Sequence, residues 1–279
     1  MINSSDNYPP AIPGGFTVLM SVYKADDPSK FELAVKSVYA NTLLPDAFQL
    51  VVDGPIPDCL MSKVLELQSQ FAINVLFLQK NMGLAVALNH GIEKISTEWI
   101  ARADADDINL PNRFEILASK IDKGIDIIGS AITELDEIGL ITGERLVPLD
   151  HREICRYAQK RNPFNHMTVM YRTNLVKRHK GYPSIYLRED YALWAILLDC
   201  GAKGANVPES LVEVSAGKGL IRRRGGLKYA YGELKLQHHL VRRNIKGVFS
   251  AAFDGALRGF IFCLPPIIRA SIYRIFLRS

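Results

Sequence analysis

Three carboxylates, Asp104, Asp106 and Asp107, close the segment Trp99-Ile-Ala-Arg-Ala-Asp-Ala-Asp-Asp107 just after an apolar run. Gathering like charges this closely costs free energy unless a cation sits among them. Trp99-Ile100-Ala101 reads as the last part of a buried strand, and Asn109-Leu110-Pro111 as a turn into a helix beginning near Pro111. The carboxylates then stand at the carboxyl end of a strand, where open α/β sheets bind ligands. Hard oxygen donors in that place suit Mg²⁺ or Mn²⁺ shared with a substrate diphosphate. The structural alternative is a solvated acidic turn in which Asp107 does no more than cap the next helix.

A second acidic pair, Glu189-Asp190, opens a helix in which Tyr191, Trp194, Ala195 and Leu198 are spaced to pack inward. Read structurally, the pair only favours the positive end of the helix dipole; read functionally, it offers a general base in a cleft, with an aromatic ring beside it to exclude water. Arg222-Arg223-Arg224 is a candidate phosphate-binding cluster or a solvated basic loop.

The elements that must position these groups follow an alternating pattern. Phe16–Ser21, Phe48–Val52 and Asn74–Leu78 read as strands, with helices from Asp27-Pro28 and from about Asp58 to Gln70 between them. A loop from Gln79 then opens a further helix leading to the acidic strand, and Lys80 beside that helix start could add charge for a phosphate. Such alternation predicts an α/β domain built on a mostly parallel sheet. Beyond Pro111 it fades: a strand at Ile125–Ile128, a hairpin over Ala131–Val147, a helix over His151–Arg161 and a strand at Thr168–Tyr171 are expected. The organisation predicted is a loose lead-in over 1–15, a main domain over 16–220 divided near 110, and a basic helical region over 221–279.

Composition bounds the function classes. At 48% hydrophobic and 23% charged, the 279-residue chain has enough apolar surface for a large core. Cys59, Cys155, Cys200 and Cys263 are too scattered for a zinc site or a disulfide framework, which suits a reducing compartment. No apolar run has the character of a signal peptide or the length of a spanning helix, so neither export nor transmembrane anchoring is expected. Residues 1–220 hold 22 basic and 27 acidic side chains, net −5, whereas residues 221–279 hold 12 and 2, net +10. The basic end calls for an anionic partner. Phe249, Phe253, Leu257, Phe260, Ile261 and Leu264, and beyond Pro265-Pro266 Ile268, Ile272, Ile275 and Phe276, recur at helical spacing with arginines between them. That pattern suits either core packing or an amphipathic helix at a membrane interface.

Six motifs occur in order: Ser21-Val-Tyr-Lys24, Val51-Val-Asp-Gly54, Asn81-Met-Gly-Leu-Ala-Val-Ala-Leu-Asn-His-Gly-Ile92, Arg102-Ala-Asp-Ala-Asp-Asp107, Asn162-Pro-Phe-Asn-His-Met-Thr168 and Glu189-Asp-Tyr-Ala-Leu-Trp194. Over residues 16–215 the chain resembles the family 2 glycosyltransferases, inverting enzymes of GT-A fold, and especially the bacterial members that build O-antigen and exopolysaccharide repeat units. By that resemblance Asp53 contacts uracil, although many members carry two adjacent acids where this chain has Val52-Asp53. Tyr23 and Lys80 stand near nucleotide-contacting positions. Asp106 is implied as the principal ligand of Mn²⁺ or Mg²⁺, Asp104 as its neighbour at the ribose or metal, and Asp190 as the catalytic base. His166, Glu189, Trp194, Arg222 and Arg223 are candidate acceptor contacts.

The implied activity is transfer of a hexose from a UDP-sugar donor to a saccharide on undecaprenyl diphosphate, at the cytoplasmic face of the inner membrane. Two other enzyme classes and one binding function were weighed. An aspartate-nucleophile phosphatase needs its nucleophile at the end of the first strand, which here ends in Ser21-Val22-Tyr23, and a nucleotidyltransferase needs a glycine-rich basic loop absent after Gly14-Gly15. A nucleic-acid or nucleotide-sugar binding module would use the basic region, but that region carries an amphipathic pattern and no nucleic-acid motif, so no nucleic acid is expected.

Overall fold

The computed structural model describes residues 12–121, 124–215, 225–265 and Arg269. Its first half is the predicted alternation: β1 (Phe16–Val22), α1 (Pro28–Tyr39), β2 (Ala47–Val52), α2 (Asp58–Gln70), β3 (Ile73–Phe77), α3 (Leu84–Lys94) and β4 (Trp99–Arg102). β2 and β4 flank β1 in parallel, with Phe16 opposite Trp99 and Leu19 opposite Arg102. The loops after β1 and β4 therefore emerge side by side. α1 begins as its sequence signals require: Asp27 accepts from the Ser29 and Lys30 amides and Pro28 occupies the first turn.

Beyond β4 the chain adds β5 (Ile108–Asn109), α4 (Arg113–Ala118), β6 (Ile127–Leu135), β7 (Ile141–Arg145), α5 (His151–Tyr157), β8 (Met170–Arg172), α6 (Thr173–Arg178), α7 (Glu189–Asp199) and β9 (Gly204–Ser215). The sheet runs β3-β2-β1-β4-β8-β6-β9-β5, and β7 pairs with β6. Antiparallel β8 lies between β4 and β6, so the run of parallel neighbours from β3 to β4 ends where the acidic loop begins, and parallel pairing resumes between β6 and β9. Two expectations are corrected. The helix expected near Pro111 is the six-residue α4, which starts at Arg113 after Asn112. Ile12–Gly15, expected to be loose, forms a turn whose Gly14 carbonyl accepts from the Glu98 amide; residues 1–11 lie outside the described residues.

Alternation within β1 divides the core. Val18, Met20 and Val22 face α1, α2 and α4, whereas Leu19 joins the layer of α3, α5, α6 and α7. Each fully buried side chain of this size is worth about 1.5–3 kcal/mol, so this two-sided core fixes the strand ends from which the candidate groups project.

The described part of the basic region is helical and packs on the main domain. α8 (Leu227–Arg242) packs Leu236 and Leu240 against Tyr191, Ala192 and Ala195 of α7, and α9 (Val248–Cys263) folds back along α8. At their junction Glu233, only 1% exposed, bonds Arg188 at 2.9–3.0 Å and approaches Arg258 at 3.4 Å. The same Arg188 donates to the Tyr229 hydroxyl at 2.8 Å and lies over its ring. Removing Glu233 would leave the Arg188 guanidinium buried against an apolar surface. Glu233→Ala is expected to cost about 3–5 kcal/mol, seen as a lower urea midpoint; an unchanged midpoint would show that the network adds no stability.

Candidate active site

The three clustered carboxylates occupy three different environments. Asp104 is partly buried and forms an ion pair with Arg102, Asp106 is exposed, and Asp107 is 3% exposed. Arg102 is itself enclosed and donates to the carbonyls of Leu19, at 3.1 Å, and Ala103. Behind it Arg113 donates to the Arg102 carbonyl at 2.6 Å and to Asn109 Oδ1. Burial and then the nearby Arg102 charge lower the pKa of Arg113 to about 9. Asp107 does not cap α4, because Asn112 takes that place and Asp107 lies buried before β5. Burial, reinforced by Asp104 and Asp106, pushes its pKa well above the usual carboxylate range.

Asp26, unremarked in the sequence reading except as the neighbour of a helix cap, belongs to this group. Its carboxylate accepts from the Tyr23 amide at 2.8 Å. Burial is the main cause that raises its pKa to about 6, with the charges of Asp106 and Asp104 adding to it. Among the described residues no three His, Cys, Asp or Glu side chains are arranged to hold an ion by themselves. The donor set instead fits Mn²⁺ or Mg²⁺ bound by one or two carboxylates, Asp106 and Asp104, with the remaining ligands drawn from substrate phosphates and water.

At the end of β2, the buried Asp53 carboxylate accepts from the amides of Met82 at 2.7 Å and Gly83 at 2.9 Å. It thereby fixes the loop that opens α3 and carries the exposed Lys80. Gly54, at φ +84°, permits this approach, since a Cβ there would run into the Asn81 amide nitrogen. A carboxylate has about four acceptor sites, so two loop bonds still leave Asp53 capacity for a ligand. Tyr23 stands 39% exposed in the loop after β1.

On the opposite side, Asp190 at the start of α7 accepts from Asn162 Nδ2 at 2.6 Å and from the Tyr191 amide at 2.7 Å. Glu189 beside it is buried, and burial followed by the Asp190 charge raises its pKa to about 7. His166 is also buried; its Nε2 pairs with the Tyr182 hydroxyl at 2.9 Å, which in turn meets the Tyr171 hydroxyl at 3.1 Å. Burial and then Arg102 lower the His166 pKa to about 4 against the pull of Asp190 and Asp104, so the ring is neutral near pH 7. Those couplings place the β4 end and the start of α7 around one centre. Asn89 of α3 secures it, accepting from the Tyr182 amide at 2.7 Å and donating to the Tyr182 carbonyl at 2.9 Å.

One acceptor assignment is revised. The Trp194 ring, expected beside the acceptor, is fully buried against Phe164, Tyr171 and His166, because α7 is enclosed on every side from Tyr191 to Leu198. Its place is in the wall behind His166. Arg222 and Arg223 lie outside the described residues.

Residues 17–181 match the family model described as Glycosyl transferase family 2. The chain belongs to that family. This family 2 glycosyltransferase is 36% identical over 265 residues to the UDP-Gal:alpha-D-GlcNAc-diphosphoundecaprenol beta-1,3-galactosyltransferase of Escherichia coli, covering 93% of this chain and 95% of that one. It is 35% identical over 223 residues to the amylovoran biosynthesis glycosyltransferase AmsE of Erwinia amylovora, covering 79% of this chain and 84% of AmsE. The S. aureus TarS 1-349 structure with UDP-GlcNAc superposes with a TM-score of 0.67 at 15% identity, over 95% of this chain and 76% of TarS 1-349. The fold is accordingly GT-A-like.

Glu189 makes the linkage between pH and stability measurable in this glycosyltransferase. A carboxyl whose pKa is raised on folding binds more protons folded than unfolded, so its stabilising contribution is complete below about 4.5 and is lost as pH rises through about 7. Glu189→Gln is therefore expected to flatten the fall in Tm between pH 5 and pH 8; the same fall in variant and wild type would refute the shift.

Proposed function

We propose that this glycosyltransferase moves a hexose, with inversion, from a UDP-sugar to a saccharide carried on a lipid diphosphate, in O-antigen or exopolysaccharide repeat-unit synthesis. The observation that carries the reading is the turn at buried His166, which joins the β4 end through the Arg102 amide's bond to the Val169 carbonyl and reaches α7 through the Trp194 ring, with Asp104 and Asp190 both acting on His166. The activity for which the E. coli relative is named, matched over nearly the full length of both chains, supports UDP-galactose as donor and a lipid-diphosphate sugar as acceptor.

Asp190 takes the proton of the acceptor hydroxyl as that oxygen attacks the anomeric carbon from the face opposite the nucleotide. Asn162 holds the Asp190 carboxylate in place, and the raised pKa of Glu189, about 7, lessens the second negative charge beside it at neutral pH. Asp53 orders the Lys80–Gly83 loop against which the uracil rests, Tyr23 flanks the nucleotide, and Arg102 fixes Asp104 beside the ribose. Mn²⁺ or Mg²⁺ bound by Asp106 and Asp104 supplies Lewis-acid stabilisation of the departing diphosphate. A neutral His166, tied to Tyr182, forms the rear wall of the acceptor site.

Asp190→Asn is expected to lose about a hundredfold or more in transfer while titrating UDP with wild-type affinity in calorimetry; transfer at the wild-type rate would reduce Asp190 to a helix cap. Asp106→Ala is expected to abolish both transfer and the rise in Tm that UDP with Mn²⁺ gives the wild type. A variant that keeps the metal-dependent rise would remove Asp106 from the ligand set.

The enzyme works bound to the cytoplasmic face of the inner membrane. Among the described residues no helix is long and apolar enough to cross a bilayer. On α9, however, Phe249, Phe253, Leu257 and Phe260 are exposed on one face, Phe249 at 92%, while Ala251, Gly255 and Phe262 are buried on the other. Four large apolar groups in a row suit the headgroup boundary of a membrane. Phe249→Gln/Phe253→Gln is expected to lose most of its flotation with phosphatidylglycerol vesicles at unchanged Tm, and full retention would count against this face.

A further inference from the structure

Outside the catalytic centre, an open cleft of about 600 Å³ lies between α8 and the turn at Ser184-Ile185. Five of its nine lining residues, Lys235, His238, His239, Arg242 and Arg243, are basic or titratable to a cation, and none is acidic. Lys235 and Arg242 have no carboxylate partner among the described residues, and Arg243 reaches Asp199 only at 3.9 Å. The Lys235 ammonium instead lies over the Tyr231 ring, at 4.6 Å from its centre. His239, which bonds the Ala192 carbonyl at 3.0 Å, has a pKa held below the usual range by burial and, in addition, by Arg243 and Arg242. The cleft thus carries a concentrated positive potential that the protein does not itself neutralise.

Apolar surface accompanies the charge. Ile185, Leu234 and Tyr231 also line the cleft, and Tyr186 next to it lies beneath the Lys228 ammonium at 4.1 Å. A site for free phosphate has no use for such a lining, whereas a diphosphate esterified to a long alkyl chain presents anion and hydrocarbon together. The position points the same way. Ser184 and Ile185 belong to the short loop that holds Tyr182 against His166 at one end and delivers Glu189-Asp190 at the other. His239 joins the cleft directly to the first turn of α7, two residues beyond the base.

We infer that this cleft, through Lys235, Arg242 and Arg243, binds the diphosphate of the lipid-linked acceptor, with Leu234, Tyr231 and Ile185 against the first units of its lipid. The inference rests on the transferase function proposed above and adds the site that selects a diphosphate-bearing acceptor over a free saccharide.

The test uses the full chain and the double variant Lys235→Gln/Arg242→Gln, both side chains being exposed, with Lys120→Gln as a control for bulk charge. Farnesyl diphosphate serves as a probe that needs no catalysis. Loss of charge-assisted hydrogen bonds is expected to weaken its binding by about tenfold or more. With a GlcNAc-diphosphate-lipid acceptor, KM for the acceptor should rise by a similar factor, while KM for the UDP-sugar and the rate with a phosphate-free octyl glycoside stay unchanged. Unchanged probe binding, or an equal loss with the octyl glycoside, would overturn the assignment. So would loss of binding to phosphatidylglycerol vesicles at an unaltered acceptor KM, which would make the cleft a phospholipid site. If the wild type transferred sugar to no diphosphate-linked acceptor, the transferase reading would fail, and the farnesyl diphosphate titration would still decide whether the cleft binds a lipid diphosphate.

Discussion

The enclosed Arg102 guanidinium is the constraint on which the rest of the site depends. It must be surrounded by acceptors, because a buried cation without them costs several kcal/mol. The Leu19 carbonyl in the middle of β1, and the Ala103 carbonyl and Asp104 carboxylate just after β4, meet that need. One side chain thus ties the end of β4 to the neighbouring strand and sets the direction in which the acidic loop leaves the sheet. Arg113 extends the same device by one layer, reaching the Arg102 carbonyl from α4. Asp106 can then stand exposed while Asp107 turns inward, a division that an untethered acidic loop would not keep.

How much of this could be read from the sequence depended on the range of the interactions. α2 runs from Asp58 to Gln70 as its periodicity indicates, and Asp27 caps α1 as its type and place require, since such signals lie within a few residues of one another. β5 is two residues long and exists only because Asn109 pairs with Val212, far along the chain, which no local pattern could reveal. Asp26 was passed over for the same reason. Its importance follows from the parallel pairing of β1 with β4, which brings the loop after the one beside the loop after the other. Trp194 packs inward as its spacing indicates, but its helix is buried all round, so the ring expected at the acceptor offers a ligand no aromatic face.

The basic end of the chain is helical, as its periodicity indicates, and it is also tied to the main domain. Arg188 and Glu233 lock α8 to the residue that precedes Glu189-Asp190. Arg258 of α9 reaches the same carboxylate and, at 2.6 Å, the Lys160 carbonyl, two residues before Asn162. Both supports of the Asp190 carboxylate, the helix it starts and the asparagine that bonds it, are therefore braced by the helix hairpin whose other face carries the exposed phenylalanines. A membrane contact made there would bear on the same rigid pair of helices that braces Asp190.

This bracing also accounts for the distribution of charge. An acceptor carrying a diphosphate is repelled by every full negative charge along its approach. Around α7 the burial that raises the Glu189 pKa to about 7 removes part of the negative charge beside Asp190 at neutral pH. The remaining carboxylates gather at the β4 end, where a divalent ion shared with the donor phosphates suits them, and the cations without carboxylate partners gather along α8. On the function proposed above, the protein would separate its two diphosphates by opposite means: the donor's would be met by carboxylates that require a metal, and the acceptor's by arginine and lysine that require none.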